Sequence, residues 1–258
     1  MDTFLRQLRV RVARSREELE KAFALVYREY LRKGYTDANP SGLRYSLYNA
    51  LPEAATFIAL SASDEVVATA TIVPDSFLGL PIDCIFQEEL NRLRKSGASL
   101  CEVTMLAVNT DFFKQAPRGL NMGRRMFMFH FFKVLLDYSH VFKKHDYMCI
   151  AVNPRHSRLF NELLFRNLGP VKLYPDVNYA PAVSKFVNMH FVKKGFNKPG
   201  KERLYDVFVR QASQEESFLD RARLSSRDLH YFFVEESNIF KAAPQHYLEF
   251  IQRCYPSG

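Results

Sequence analysis

The chain runs to 258 residues, with 36 Lys and Arg against 28 Asp and Glu, for a formal charge of +8. Hydrophobic residues make up 47% and aromatics 14%, with 23 Phe and 13 Tyr but no Trp. That mix excludes a disordered chain, and the length suits one domain with an appendage. The basic balance favours an anionic partner, for which nucleic acid, a lipid surface and an acidic carrier protein all qualify. No helix-turn-helix, zinc-finger or RNP-type aromatic signature is present, so nucleic acid is not expected.

Residues 1–16 hold five arginines and no continuous apolar stretch, so no secretory signal is expected. The most apolar stretch, residues 126–136, is interrupted by His130 and Lys133 and is too short to span a bilayer. Cys84, Cys101, Cys149 and Cys254 are scattered without a C-x-x-C spacing, which suggests reduced thiols rather than a disulfide framework or a zinc site. A cytoplasmic location fits, with peripheral membrane contact left open.

Residues 8–13 alternate apolar and basic, as a half-exposed strand does. Ser15 and Glu18 form a capping box for a helix whose apolar face is Leu19, Phe23, Val26 and Tyr30, with Gly34 as its stop. Residues 36–42 are turn-like. Residues 56–60 and 66–73 read as a β-hairpin, 81–97 as a helix, and 100–108 as a strand. A loop leads to a long, largely buried helix over 118–138. A short strand over 147–152 precedes Asn153-Pro154, an N-cap and first-turn proline for the next helix, and strand resumes over 171–174.

The order β-α-β-β-α-β-α-β-α-β predicts a mixed α/β (α+β) fold with a mostly antiparallel sheet. The strands joined through helix 118–138 are then parallel neighbours. Past about residue 212 the segments 217–224 and 245–254 read as helices. This divides the chain into a domain over 1–212 and a helical extension over 213–258 packed on it.

Within strand 100–108 the lone acid is Glu102. A carboxylate in a core strand is costly unless something requires it, and strict alternation puts Glu102, Thr104, Leu106 and Val108 on one face. Partial burial would raise its pKa towards a value useful to a general base; a Glu at the strand mouth, exposed or paired with an arginine, is the competing reading. Downstream, Arg118-Gly119-Leu120-Asn121-Met122-Gly123 opens a helix and can aim free N–H groups at a phosphate. Arg28 and Arg44 are candidates to fork a substrate carboxylate, or plain surface residues. His156 follows Asn153-Pro154-Arg155 at a helix start, as a local cap or a ligand contact. No H-x-x-x-H or H-E-x-x-H pairing is present, so no metal is expected. With no G-x-S-x-G elbow or Cys/His pair either, covalent catalysis is disfavoured.

At these residues the sequence resembles the long-chain N-acyl amino acid synthases of the FeeM type, relatives of acyl-homoserine lactone synthases within the GNAT fold. The resemblance rests on residues 26–35, Val73-Pro74-Asp75-Ser76, Gly79-Leu80-Pro81, Glu89-Leu90, Leu93-Arg94, Glu102-Val103-Thr104, Asn153-Pro154-Arg155-His156 and Ala180-Pro181-Ala182-Val183. It covers roughly residues 8 to 195. It implies a GNAT-like sheet whose parallel pair splays to admit an acyl-phosphopantetheine thioester, carried by acyl carrier protein or coenzyme A, with no permanently bound cofactor. Backbone groups of Leu106, Ala107 and Val108 would meet the pantetheine arm, and Arg118, Gly119 and Gly123 its phosphate. Glu102 would take the proton of an amino acid amine. Arg28, Tyr35 and Thr104 would contact that acceptor, with Asn153 and His156 as further candidates.

Met105 stands where the autoinducer synthases carry a strand arginine, and Thr71 where they carry another, which argues against lactone synthesis. Asn121 replaces the first glycine of the usual acetyl-CoA motif. Arg6, Arg9, Arg11, Arg124 and Arg125 are candidate contacts to an acidic carrier, and the Phe-rich stretch 126–132 either lines an acyl tunnel or forms core. A short-chain acyl-CoA GNAT acetyltransferase and a non-catalytic GNAT-fold binding module are the alternatives.

Overall fold

Helix α1 (Arg16–Arg32) begins where the sequence places its cap: Ser15 is extended and its Oγ accepts the N–H of Glu18 at 3.3 Å. Leu19, Phe23 and Val26 are buried on one face, and Gly34 follows the helix with φ +69°. The computed structural model describes residues 8–115, 120–211 and 218–255. Among these the strands form a seven-stranded sheet of order β1-β2-β3-β4-β5-β7-β6. They are β1 (Arg9–Val12), β2 (Ala55–Leu60), β3 (Val66–Pro74), β4 (Leu100–Val108), β5 (Tyr147–Val152), β6 (Arg166–Tyr174) and β7 (Ala180–Asn188).

Every pairing is antiparallel except that of β4 with β5, so the sheet is a GNAT-like mixed one flanked by helices. Both faces of its centre are covered, which is why β2 and most of β3 are buried at every position. On one face Phe57 and Ala70 join Phe127, Phe131, Phe132 and Leu135 of helix α4 (Leu120–Leu136). On the other, Ile58, Leu60 and Val73 join Leu19, Phe23 and Val26 of α1. Helix α2 (Asp83–Arg94) closes a third cluster through Phe86 and Leu90.

Several local expectations are corrected. The span after Val108 contains a helix, α3 (Thr110–Gln115), whose first-turn N–H and hydroxyl at Thr110 are both held by the buried carboxylate of Glu29 on α1, at 3.1 and 2.7 Å. Strand β6 starts at Arg166 rather than 171, and β7 is a strand that turn-rich flanks conceal in the sequence. After α5 (Ser157–Glu162), short helices α6 (Val192–Phe196) and α7 (Glu202–Tyr205) follow β7. Residues 221–225 are irregular rather than helical, because they are drawn against β1, where Ala222 N–H bonds the Ala13 carbonyl at 2.6 Å. Cys101 and Cys149 are buried, whereas Cys84 is exposed.

Helices α8 (Ser226–His230), α9 (Ile239–Ala242) and α10 (Gln245–Arg253) finish the chain. Leu229, Phe232, Phe233 and Ile251 are buried in the α1 cluster, and the Phe232 ring meets those of Phe23 and Tyr45 edge-on at 5.5 Å each. The last forty residues therefore supply core to α1. Replacing Phe232 by Ala is expected to cost about 3–5 kcal/mol, read as a lower urea midpoint with an unchanged slope; a loss under 1 kcal/mol would show that the C-terminal helices are peripheral.

Candidate active site

Strands β4 and β5 run together only from Leu100 opposite Tyr147 to Val103 opposite Ile150. Beyond that point β4 stays with β3, pairing Ala107 with Thr69, while β5 stays with β7, pairing Val152 with Val183. The sheet forks. At the fork β3 advances two residues, Thr69 to Thr71, against three on β4, Thr104 to Ala107. This bulge puts Met105 at φ +51°, a left-handed conformation rare for a side chain of that size. Because one residue is inserted, the alternation predicted for β4 breaks. Leu106 and Val108 pack into the α4 cluster with Cys101 and Val103, and Met105 and Ala107 turn into the α1 cluster. Glu102 and Thr104 thus do not share a face with Leu106 and Val108.

A cavity of about 440 Å³ fills the fork. Val103, Thr104, Met105, Leu106 and Val108 line it from β4, and Ile150, Ala151 and Val152 from β5. Met128, Leu159 and Phe160 form an apolar end. Tyr30, Tyr35, Arg44, Ser46, Tyr174 and Asp176 form a polar one.

Glu102 lines the cavity at 1% exposure. Its Oε2 accepts the N–H of Ile82 at 2.9 Å, and no cation pairs with it among the described residues. Removal from water disfavours the charged form and raises the carboxyl's pKa well above the ordinary Glu range; that main-chain bond opposes the shift, and Asp83 and Asp176 add to it. The exposed or arginine-paired alternative is thereby excluded. The same burial raises Tyr30 to about 12 and carries Tyr174 well above its normal value.

The Ile82 donor is itself fixed by the residues before it. Arg94 bridges Asp75 and Asp83, with Nε to Asp75 Oδ2 and Nη2 to Asp83 Oδ2 both at 2.6 Å, and Asp83 Oδ2 also accepts the N–H of Leu80 at 2.6 Å. Gly79, at φ +70°, turns the chain into this network, where a Cβ would stand 2.6 Å from Asp83 Oδ2. Glycine alone fits.

At the mouth, Lys33 and Arg124 line the cavity beside Arg155, and none of the three has a carboxylate within ion-pair distance among the described residues. Burial, with Arg155, Lys33 and Arg124 adding to it, lowers the pKa of His156, whose Nε2 lies 3.1 Å from Arg155 Nε. Arg155 also donates to the Tyr35 hydroxyl at 3.1 Å. Asn153 lines the cavity but spends its side-chain oxygen on the N–H of Arg155 as a cap. Arg125 is paired with Glu162.

Glu102, Thr104, Leu106, Val108, Tyr35, Asn153 and His156 therefore meet at one cavity. Ala107 does not line it, its side chain lying in the α1 cluster. Gly123 is buried within α4. Arg118 and Gly119 lie outside the described residues. Arg28 is a correction: it sits on the exposed side of α1, because the helical stripe that carries Phe23, Val26 and Tyr30 inward carries Arg28 outward. Arg44 lines the cavity instead, its fork held by Thr36 Oγ1 and the main-chain oxygen of Asp176, with Nε buried and unpartnered.

The Phe stretch is core: Phe127, Phe129, Phe131 and Phe132 are buried in the α4 cluster, and Met128 alone of residues 126–132 reaches the cavity. Arg9 pairs with Asp64, and Arg11 with Glu18 at 2.7 Å. Arg6 lies outside the described residues. Tyr30, Tyr174 and Asp176 are not among the site residues expected from sequence; Asp176 falls in the turn before the unrecognised β7, and nothing local marks it.

The family model of the N-acyl amino acid synthase FeeM matches residues 21–188. The structure of FeeM from uncultured soil microbes is 25% identical, with a TM-score of 0.61 over 72% of this chain and 93% of that one. The acyl-homoserine lactone synthase LasI (15% identity, TM-score 0.52, 70% and 90% covered) and TofI, solved in a ternary complex with an inhibitor and MTA (9%, 0.50, 71% and 91%), share the fold. No curated protein matches the sequence. With its forked sheet, its buried acid and a family match over well more than half its length, the chain belongs to the family of N-acyl amino acid synthase FeeM and is an N-acyltransferase.

Proposed function

We propose that this protein transfers a long-chain acyl group from a phosphopantetheine thioester, carried by acyl carrier protein or coenzyme A, directly to the amine of an amino acid. The observation that supports this most is Glu102, buried at the fork of the two parallel strands with no cation paired to it among the described residues. The thioester arm lies between β4 and β5, where among the described residues β4 beyond Val103 pairs with β3 alone. Its phosphate faces Lys33, Arg124 and Arg155. The acceptor occupies the polar end, its carboxylate at the Arg44 guanidinium, whose two terminal nitrogens each give one N–H to Thr36 or Asp176 and keep another, and its amine towards Glu102.

The acceptor arrives as an ammonium ion and must shed a proton before its nitrogen can attack. That cation offsets the burial that disfavours the Glu102 carboxylate, so the base becomes effective as its substrate seats. Glu102 takes one proton and the nitrogen adds to the thioester carbon. The tetrahedral intermediate then expels the thiolate, which takes up the second proton lost from nitrogen. Products are the amide and the free thiol, and Glu102 returns its proton to water. No acyl-enzyme forms. Aligning amine and thioester supplies most of the remaining acceleration.

A short-chain donor is the second reading, favoured by one observation: the phenylalanines of α4 pack as core instead of lining a tunnel. Acyl-CoA donors of graded length, from acetyl to hexadecanoyl, separate the two by which one is used fastest.

Three outcomes are expected. Glu102→Gln lowers kcat/KM about 10²–10⁴-fold, while its melting temperature stays level or rises, by about 2–4 °C for each kcal/mol of relieved burial. The sign follows from linkage: an acid raised on folding costs stability once pH exceeds its unfolded value, and Gln removes that cost while still accepting from Ile82. Equal activity of the Gln variant would sink the base assignment. The acid limb of the rate profile lies above the ordinary Glu value of 4.5, activity falling as pH drops through the raised pKa of Glu102; a limb at or below 4.5 counts against it. Arg44→Ala raises KM for an amino acid about tenfold or more but barely changes it for the same amine without its carboxylate.

A further inference from the structure

The turn between β6 and β7, residues 174–180, hangs over the polar end of the cavity, which Tyr174, Asp176, Val177 and Ala180 all line. It reverses direction through two consecutive left-handed residues, Asn178 at φ 52° and Tyr179 at φ 56°. Its tip is tied to the loop after α1 by main-chain and amide contacts. Arg44 donates to the main-chain oxygen of Asp176 and to Thr36 Oγ1, and Asn178 Nδ2 donates to Asp37 Oδ1 at 3.1 Å. The backbone of Asp176 is thus held while its side chain is left over. Among the described residues the Asp176 carboxylate makes no hydrogen bond and no ion pair, although it faces a cavity.

Several charged groups share its cavity. Lining the polar end with it are Tyr30 and Tyr35 from the segment of α1, Arg44 from the following loop, Glu102 from β4 and Tyr174 from β6, while Lys33, Arg124, Arg125 and His156 line the rest of the cavity. Asp83 is consumed by Arg94, and Arg44 spends its fork on a carbonyl rather than on the Asp176 carboxylate. Two acids thus share one cavity in different settings. Glu102 is buried and disfavours its own charge, so it attracts a cation poorly from solvent. Asp176 is exposed at the rim, where a carboxylate keeps its hydration and can draw an ammonium ion inward.

We propose that Asp176 is an acceptor-binding residue, holding the α-ammonium of the incoming amino acid at the cavity rim and presenting it to Glu102 while Arg44 holds the carboxylate. The assignment rests on the N-acyltransferase reading above. It defines the acceptor as a zwitterion read at both charged groups, and it gives the latch between Arg44 and the Asp176 backbone a purpose: the two recognition groups are fixed relative to each other before substrate arrives.

The test uses the full chain, dodecanoyl-CoA as donor, and the amino acid that the wild-type protein acylates fastest among the twenty, identified by mass spectrometry. Asp176→Asn is expected to raise KM for that amino acid about tenfold, with kcat within about threefold, the donor KM unchanged and the melting temperature unchanged. Because an exposed charge acts through water, 0.5 M NaCl should shrink the gap between wild type and Asn variant, and Asp176→Glu should recover most of the affinity. A wild-type acceptor KM in the Asn variant, or equal damage to donor and acceptor constants, overturns the assignment. A wild-type protein that transfers no acyl group from any thioester overturns the N-acyltransferase reading itself, and this assignment with it.

Discussion

Two neighbouring strands cannot both complete a hydrogen-bonded ladder and leave room for a third extended chain. In this protein the conflict is resolved at Val103 and Ile150, the last paired residues of β4 and β5. Each strand has another neighbour, β3 for one and β7 for the other, so each can diverge and remain held in a sheet. The bulge at Met105 reinforces the divergence, since an inserted residue bends and twists its strand. The cavity, its lining and the placing of Glu102 follow from that fork.

A fork in a buried sheet leaves polar groups to be satisfied, and the ordering around Glu102 shows how. A buried carboxylate without a cation is among the costlier arrangements a core can hold. Among the described residues one main-chain donor reaches it, and that donor sits on a segment fixed by a three-residue ion network and a glycine that tolerates no Cβ. The Arg94 guanidinium, bonded to two carboxylates, is raised above its usual pKa by both. Arg94 is thus directed to Asp75 and Asp83, and among the described residues no cation pairs with Glu102.

The family match ends at residue 188, yet the polar end of the cavity depends on parts beyond the sheet. Arg44 hangs from a loop whose neighbour Tyr45 bonds the main-chain oxygen of Phe232, so the C-terminal helices brace the segment that reaches over the cavity. The β6–β7 turn meets that loop from the opposite side. The two ends of the cavity are therefore built from different material: one from the fork itself, the polar one from two loops latched across it.

What was legible in the sequence was local. Ser15 and Glu18 start a helix because a hydroxyl three residues upstream satisfies an orphan N–H, and that holds wherever the helix is packed. Glu102 was visible as an acid in an apolar strand, because burying charge is costly enough to leave a mark in one residue. Period-two alternation carried the strand correctly as far as the bulge and failed beyond it, since an inserted residue is set by pairing with β3 and leaves no mark on β4 alone. Arg28 and Arg44 looked equivalent; only the rotation of α1 against the sheet turned one outward, while loop packing turned the other in. Asp176 comes beside Arg44 across 132 residues of chain. Short-range chemistry was written in the sequence, and the meeting of distant charges was decided by how the sheet forks and what closes over it.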